Sequence, residues 1–376
     1  MPVKNFEILN TSTDQTTTRT LLHEAIPVTG TVVSGTYGTF PNENNIKNYT
    51  HGMFQSVYDY PYLSSSANHI FDISCGFDES SGLSGSANAV QESKKINLYN
   101  QFSQVLLGYT GSNNEVEVFE SDLNIADNNN QMKQCFFLNF SRLLAKDQIK
   151  QGSFSITIGT GSWANPFSAG AGTAVATRVT LTDASASSTD EGTTTSIGGD
   201  YGVLYESNAN SANGHRGQNT AQGIIFYQTG MVILSSSIFT SGTAGAKGVN
   251  HTNDFLNIGS AIQNVTESLV KSAISGNCDA LRHRIYNLSF NNTTEINSTI
   301  YFCRVPHNKF NYSSNPTYLS GSKIRVKTKA SDNPVSYITT IGLYNSSNEL
   351  LAVAKLSEPL KKTPENEITL RVRLDY

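Results

Sequence analysis

At 376 residues the chain is long enough for a substantial core and for two or three domains of about 100–200 residues each. Hydrophobic residues make up 38% and charged residues 15%, with Ser, Thr, Asn and Gly filling the gap, a balance that favours strands joined by polar turns over a helical bundle. A net charge of −4 argues against a primary nucleic-acid binder, and no stretch approaches the roughly 18 apolar residues of a membrane span.

Residues 1–40 are polar and threonine-rich and end in VTGTVVSGTYGTF, which reads as an extended arm or edge hairpin. The start lacks the basic residues and apolar run of a secretory signal. The spacing of Ile46, Tyr49, Met53, Phe54 and Val57 predicts a first helix from Asn45, ending near Pro61. HIFDISCGF then supplies a strand. A second helix is predicted over Gln91–Tyr109, where Ile96, Tyr99, Phe102, Leu106 and Tyr109 recur at helical spacing. A third is predicted from Asn128 to Ile149 on the stripe Met132, Cys135, Phe136, Phe140, Leu143 and Leu144.

After Gly152 the segments SFSITIGT, RVTLTD, YGVLYES and GIIFYQTGMVILSSSIF read as strands separated by polar loops. A helix is predicted over Asn253–Ile274, followed by strands in LRHRIYNLSF, STIYFCRV, SKIRVKTK, VSYITTIGLY, LLAVAKLS and ITLRVRLDY. Asn345–Asn348 is expected to be a hairpin turn, and Pro359 and Pro364 are expected to bracket a basic turn at Lys361-Lys362 and to end the preceding strand. In the last strand Ile368, Leu370, Val372 and Leu374 alternate with polar residues, which predicts an internal sheet strand; the alternative is an edge guarded by Arg371 and Arg373. The whole reads as α+β: a helix-containing domain over 1–150, a β-rich region over 151–276, and a sandwich-like antiparallel module over 277–376.

Chemistry finds little anchor. No phosphate-cradling glycine loop, HExxH pair or GxSxG elbow is present, so no catalytic, cofactor-binding or metal residue is assigned. The four cysteines lie far apart without a CxxC pair and read as buried or free thiols of a protein made in a reducing cytoplasm, not as a disulfide or zinc framework. Asn-x-Ser/Thr triplets such as those at Asn48 and Asn292 read as products of composition. Arg282-His283-Arg284 reads as a structural part of a strand. Asp183, Asp190, Glu191, Asp200 and Glu206 offer oxygen ligands without the order of a calcium loop, and Trp163 in a polar loop offers a sugar-stacking surface. Charge is asymmetric: residues 277–376 carry 13 Lys/Arg against 8 Asp/Glu, a net of +5, leaving −9 elsewhere. That pattern either orients copies head to tail or marks a solvated basic face.

FNYSSNPTYLSG (310–321) together with PVSYITTIGLYNSSNELLAVAKLSEPLKKTPENEITLRVRLDY (334–376) resembles a family of virion structural proteins of tailed bacteriophages, of the T4-like and marine cyanophage type. NIKNYTHGMFQSVYDYPYLSSSANHIFD and KKINLYNQFSQVLLGYTGSNN are similar to the N-terminal part of that family. The resemblance implies a non-enzymatic component of the tail, baseplate or neck, made in the host cytoplasm and repeated in a symmetric ring or assembly with other virion proteins. The alternative reading is a receptor- or glycan-binding adhesin of the virion surface; a depolymerising enzyme is a distant third. For the interface, the aromatic loop with Phe310, Tyr312, Pro316 and Tyr318 is the first candidate, because buried aromatics dominate contact energies, with Arg371 and Arg373 beside it.

Overall fold

Strands carry the core of this chain. The computed structural model describes residues 6–29, 44–109, 115–124, 129–159, 167, 178–187, 192–207, 221–239, 265–313, 319–320, 323–324, 329 and 331–376. With 46% strand against 16% helix and antiparallel sheets, it is β-rich α+β. It divides into two units, Leu22–Thr294 and Met1–Leu21 with Glu295–Tyr376. Strand β1 (Gln15–Thr29) begins in the smaller unit and runs into the larger.

In the larger unit β2 (Ile46–Asn48), β3 (Gln55–Tyr58) and β4 (His69–Phe77) precede helix α1 (Glu92–Leu106). Strand β5 (Gln134–Phe140), the single turn α2 (Arg142–Ala145), β6 (Gln148–Ile149) and β7 (Ser155–Gly159) follow. Next come β8 (Arg178–Thr182), β9 (Thr193–Ser196), β10 (Gly199–Glu206), β11 (Ala221–Phe226) and β12 (Met231–Ser235). Helices α3 (Val265–Lys271) and α4 (Ile274–Arg284) lead into β13 (Ile285–Val305), whose first half closes the sheet. The spatial order is β13-β7-β8-β10-β11-β12-β5-β4-β3-β2, with β6 and β9 pairing off β13 and β10.

Strand β5 lies between β12 and β4, with Phe137 opposite Ile233 on one side and Ser74 on the other. Its side chains alternate between two cores. Phe136 and Leu138 join Leu269, Ile274 and Leu281 of the α3–α4 pair; Cys135 and Phe137 join Tyr99, Leu106 and Phe119. Both faces are therefore buried, which is why QCFFLNF is a nearly unbroken apolar run. Helix α1 approaches β4 closely at Gly76, where an added Cβ would lie 2.5 Å from the Lys95 carbonyl oxygen.

Several expectations change here. The predicted helix from Asn45 is instead β2 and β3, joined through Gly52 at a φ of 66°, a left-handed turn that no helix contains. The predicted helix over 128–149 is β5, α2 and β6: an apolar run satisfies the helical period by default, and the neighbouring strands decide the outcome. The described part of the 253–274 segment is α3, and a separate helix α4 continues to Arg284. Arg282-His283-Arg284 thus ends a helix, with the strand starting at Ile285. By contrast the second predicted helix is α1, and the strands expected around 155, 178, 201, 223 and 231 are all present.

In the smaller unit the second half of β13 is flanked by β1 and by β18 (Ile368–Asp375), with the latter pairing from Ser298↔Asp375 to Val305↔Ile368. The alternation of β18 is as expected, Val372 buried and Thr369, Arg371, Arg373 and Asp375 exposed. Its position is not: among the described residues β18 pairs with β13 alone and is an edge strand. The unit also holds the two-residue strands β14 (Leu319–Ser320) and β15 (Lys323–Ile324), which pair together, and a long hairpin of β16 (Ser336–Tyr344) and β17 (Leu350–Lys362).

Candidate assembly interface

The β16–β17 hairpin leaves much of its length exposed, with buried residues at its base. At its tip Asn348 adopts a φ of 62°, supplying the left-handed residue that glycine usually provides, and the Asn345 side-chain carbonyl accepts the Glu349 N–H at 2.8 Å. That chemistry sets the register Leu343↔Ala352 and Gly342↔Val353. Neither strand pairs with a third among the described residues.

Cross-strand partners share a face, so Tyr344, Leu350, Val353 and Lys355 stand together, while Ile341, Leu343, Ala352 and Ala354 occupy the other face half-buried. Tyr344 and Leu350 close over Gly342, and Phe6 meets the Tyr344 ring edge-on at 5.0 Å. Even so Leu351 is 69% and Val353 53% exposed. Large apolar residues grouped on a surface in this way make the hairpin a candidate contact surface.

The base of the hairpin is firmly held. Lys362 is buried and its Nζ donates to the carbonyl oxygens of His307 (3.2 Å) and Thr363 (2.7 Å) and to Asn311 Oδ1 (2.8 Å). Ser336, opposite Lys362, donates its hydroxyl to the Phe310 carbonyl. Here a further expectation is corrected. Pro359 does not end its strand: it sits in the stretch 356–359 that bulges opposite Thr339, where a missing N–H breaks no ladder bond, and both lysines lie in β17 beyond it.

Among the predicted interface residues, Phe310 is half-buried at a φ of 59°, with its carbonyl tied to the hairpin base, and Tyr312 is exposed. Pro316 and Tyr318 lie outside the described residues. Arg371 and Arg373 are on the exposed face of β18. Arg373 turns back to its own sheet, its Nε 2.7 Å from Asp375 Oδ1 and its guanidinium 3.0 Å from Ser298 Oγ. Hydrogen bonds from Ser298 and Arg373 hold the Asp375 carboxyl below its ordinary pKa. The structure thus places Phe310 against the base of the hairpin, and the apolar tip residues are the ones sequence reasoning passed over. Their signal was the adjacent pair Leu350-Leu351, which breaks the alternation expected of a strand with one buried face.

Other candidates are absorbed by the fold. Asp183 points inward, accepting the N–H groups of Gly152 and Phe154 at 2.8 Å and the Tyr227 hydroxyl at 3.0 Å; burial raises its pKa. Asp200 accepts the Thr195 hydroxyl at 2.7 Å, Glu206 is buried, and Asp190, Glu191 and Trp163 lie outside the described residues. No group of three or more His, Cys, Asp or Glu side chains fit to hold a metal occurs among the described residues. Arg282 is fully buried, 3.0 Å from Asp279 and 3.3 Å from Gln55 Oε1, and Arg284 donates to the Gly159 carbonyl. These contacts pin α4 to β3 and β7. Sequence reasoning also missed Lys95, buried on α1 with its Nζ on the carbonyl oxygens of Leu269 and Ser272. Among the described residues no helix is long and apolar enough to cross a membrane.

Comparison with known families, with curated proteins and with solved structures finds no match to this chain.

Proposed function

We propose that this chain is a non-enzymatic structural component of a tailed-bacteriophage virion, part of the tail, baseplate or neck, acting through contacts with other virion proteins and with copies of itself. The observation that carries this reading is the β16–β17 hairpin: two strands without a third among the described residues, showing Leu350, Leu351 and Val353 to solvent. An isolated two-stranded hairpin is marginal in water, and unpaired strand edges are common sites for addition of a partner's strand. The resemblance of segments 310–321 and 334–376 to phage virion proteins points the same way. In this reading residues 277–376 form the antiparallel assembly module, and residues 1–150 and 151–276 form the helix-containing and loop-rich parts of the body. Mass spectrometry of purified particles of the encoding phage is expected to find the chain at a fixed stoichiometry. Its absence from particles sinks the proposal.

A further inference from the structure

The larger unit carries an exposed apolar patch of its own. Helix α1 ends at Leu106, and Val105 and Tyr109 stand 66% and 53% exposed around that end. The β9–β10 turn lies against it, with the Gly198 N–H and the Ser196 hydroxyl each 2.8 Å from the Leu106 carbonyl oxygen. Ile197, at the tip of this turn, covers Gly108 and is still 75% exposed. A β-branched aliphatic residue at a hairpin tip is poor turn chemistry, and packing within the chain does not account for it.

Two carboxylates rim the patch. Val116 forms an isolated bridge to Tyr109 and the Glu117 N–H reaches the Gly108 carbonyl at 3.2 Å, so Glu115, exposed, and Glu117, half-buried, are in the segment beside the helix end. The last turn of α1 has no basic residue, so the negative end of its dipole adds to theirs. The patch is apolar at its centre and negative at its margin.

The hairpin presents the converse. Tyr344, Leu350 and Val353 lie on one face and Lys355 continues it, opposite Thr340. The charge of the two units follows the same sense: 13 Lys/Arg against 9 Asp/Glu in the smaller, a net of +4, and 13 against 21 in the larger, a net of −8. Both surfaces are exposed in the single chain.

We infer that the Tyr344–Lys355 face of the hairpin seats on the Val105–Tyr109–Ile197 patch of a second copy of this chain, with Lys355 against Glu115 and Glu117. The contact is heterologous: each copy offers a hairpin to one neighbour and a patch to another. Such contacts generate closed rings when the rotation between copies closes, and open filaments otherwise. Apolar burial supplies the attraction, and the charges set orientation and the rate of encounter.

This inference rests on the assembly reading above, and the test separates the two. Sedimentation velocity of the purified full chain over a concentration series is expected to show self-association that weakens with added salt. Lys355→Glu and Glu115→Lys each weaken it by about tenfold, and the double variant, restoring opposite charges, recovers most of the loss. Both positions are exposed, and unchanged thermal midpoints show that the variants fold. A wild-type chain that stays monomeric at every concentration overturns the inference, as does self-association that the paired charge exchange fails to restore. A monomeric chain that is nevertheless present in particles leaves the assembly reading standing, with a different virion protein as the hairpin's partner.

Discussion

Strand β5 and the β16–β17 hairpin are made from similar residues and end in opposite circumstances. In β5, Cys135, Phe136, Phe137 and Leu138 are each at most 1% exposed, because strands lie on both edges and helices or loops on both faces. In the hairpin, Leu350, Leu351 and Val353 are exposed, and among the described residues each strand has one neighbour. β-propensity makes both segments extended, but only the surroundings remove their apolar area from water. The sheet and helices around β5 cover its apolar area; the hairpin leaves Leu350, Leu351 and Val353 exposed.

That contrast can be broken or sharpened by substitution. The largest effect is expected in the core: Phe137→Ala removes a ring that packs against Tyr99, Phe102 and Phe119, and urea titration is expected to show a loss of about 3–5 kcal/mol. A loss under about 1 kcal/mol would mean that β5 is not the saturated strand described. Next is Gly76→Ala, whose methyl meets the Lys95 carbonyl and pushes α1 away from β4; about 1–3 kcal/mol is expected in the same titration.

A pH series probes the same core more gently. Burial raises the Cys75 thiol from 9.0 to about 12 and holds those of Cys135 and Cys278 well above 9.0. The folded chain therefore keeps protons that the unfolded chain releases. This contribution to stability is complete below pH 9 and declines as pH rises above it, by up to about 1.4 kcal/mol per unit for each thiol. Burial lowers the Lys95 ammonium, which acts in the opposite sense, so the clean readout is a difference: Cys75→Ala flattens the alkaline decline relative to wild type. Equal slopes would contradict the burial assigned to Cys75.

The smallest stability effect is expected where exposure is greatest. Leu351→Ser should leave the unfolding midpoint within about 0.5 kcal/mol of wild type, yet reduce incorporation into particles in competition with the wild-type chain. A large stability loss would show that the hairpin is already packed within the chain.

Helix α1 was legible because Asn97, Asn100, Gln101, Ser103 and Gln104 interrupt the apolar residues and leave Ile96, Tyr99, Phe102 and Leu106 at spacings of three and four, the period of a helix. The alternation of β18 was legible for the equivalent reason at a period of two. The run CFFL was not, since four adjacent apolar residues fit either period and only β4 and β12 choose between them. At the candidate interface the turn at Asn345–Asn348 and the strands around it were readable, and the aromatic loop drew attention first. That the apolar tip is bare depends on the absence of a third strand among the described residues, which no local pattern states.

By itself the sequence determined an antiparallel β-rich α+β chain, the position of α1, the β16–β17 turn and the wet face of β18, all properties of residues near one another along the chain. Only the tertiary structure decided that QCFFLNF is a central strand, that Lys95 and Arg282 are buried with partners 174 and 227 residues away, that β18 is an edge among the described strands, and that Leu350, Leu351 and Val353 remain uncovered. Burial and pairing are relations between distant segments, so a local period can say that a face must be covered but not what covers it.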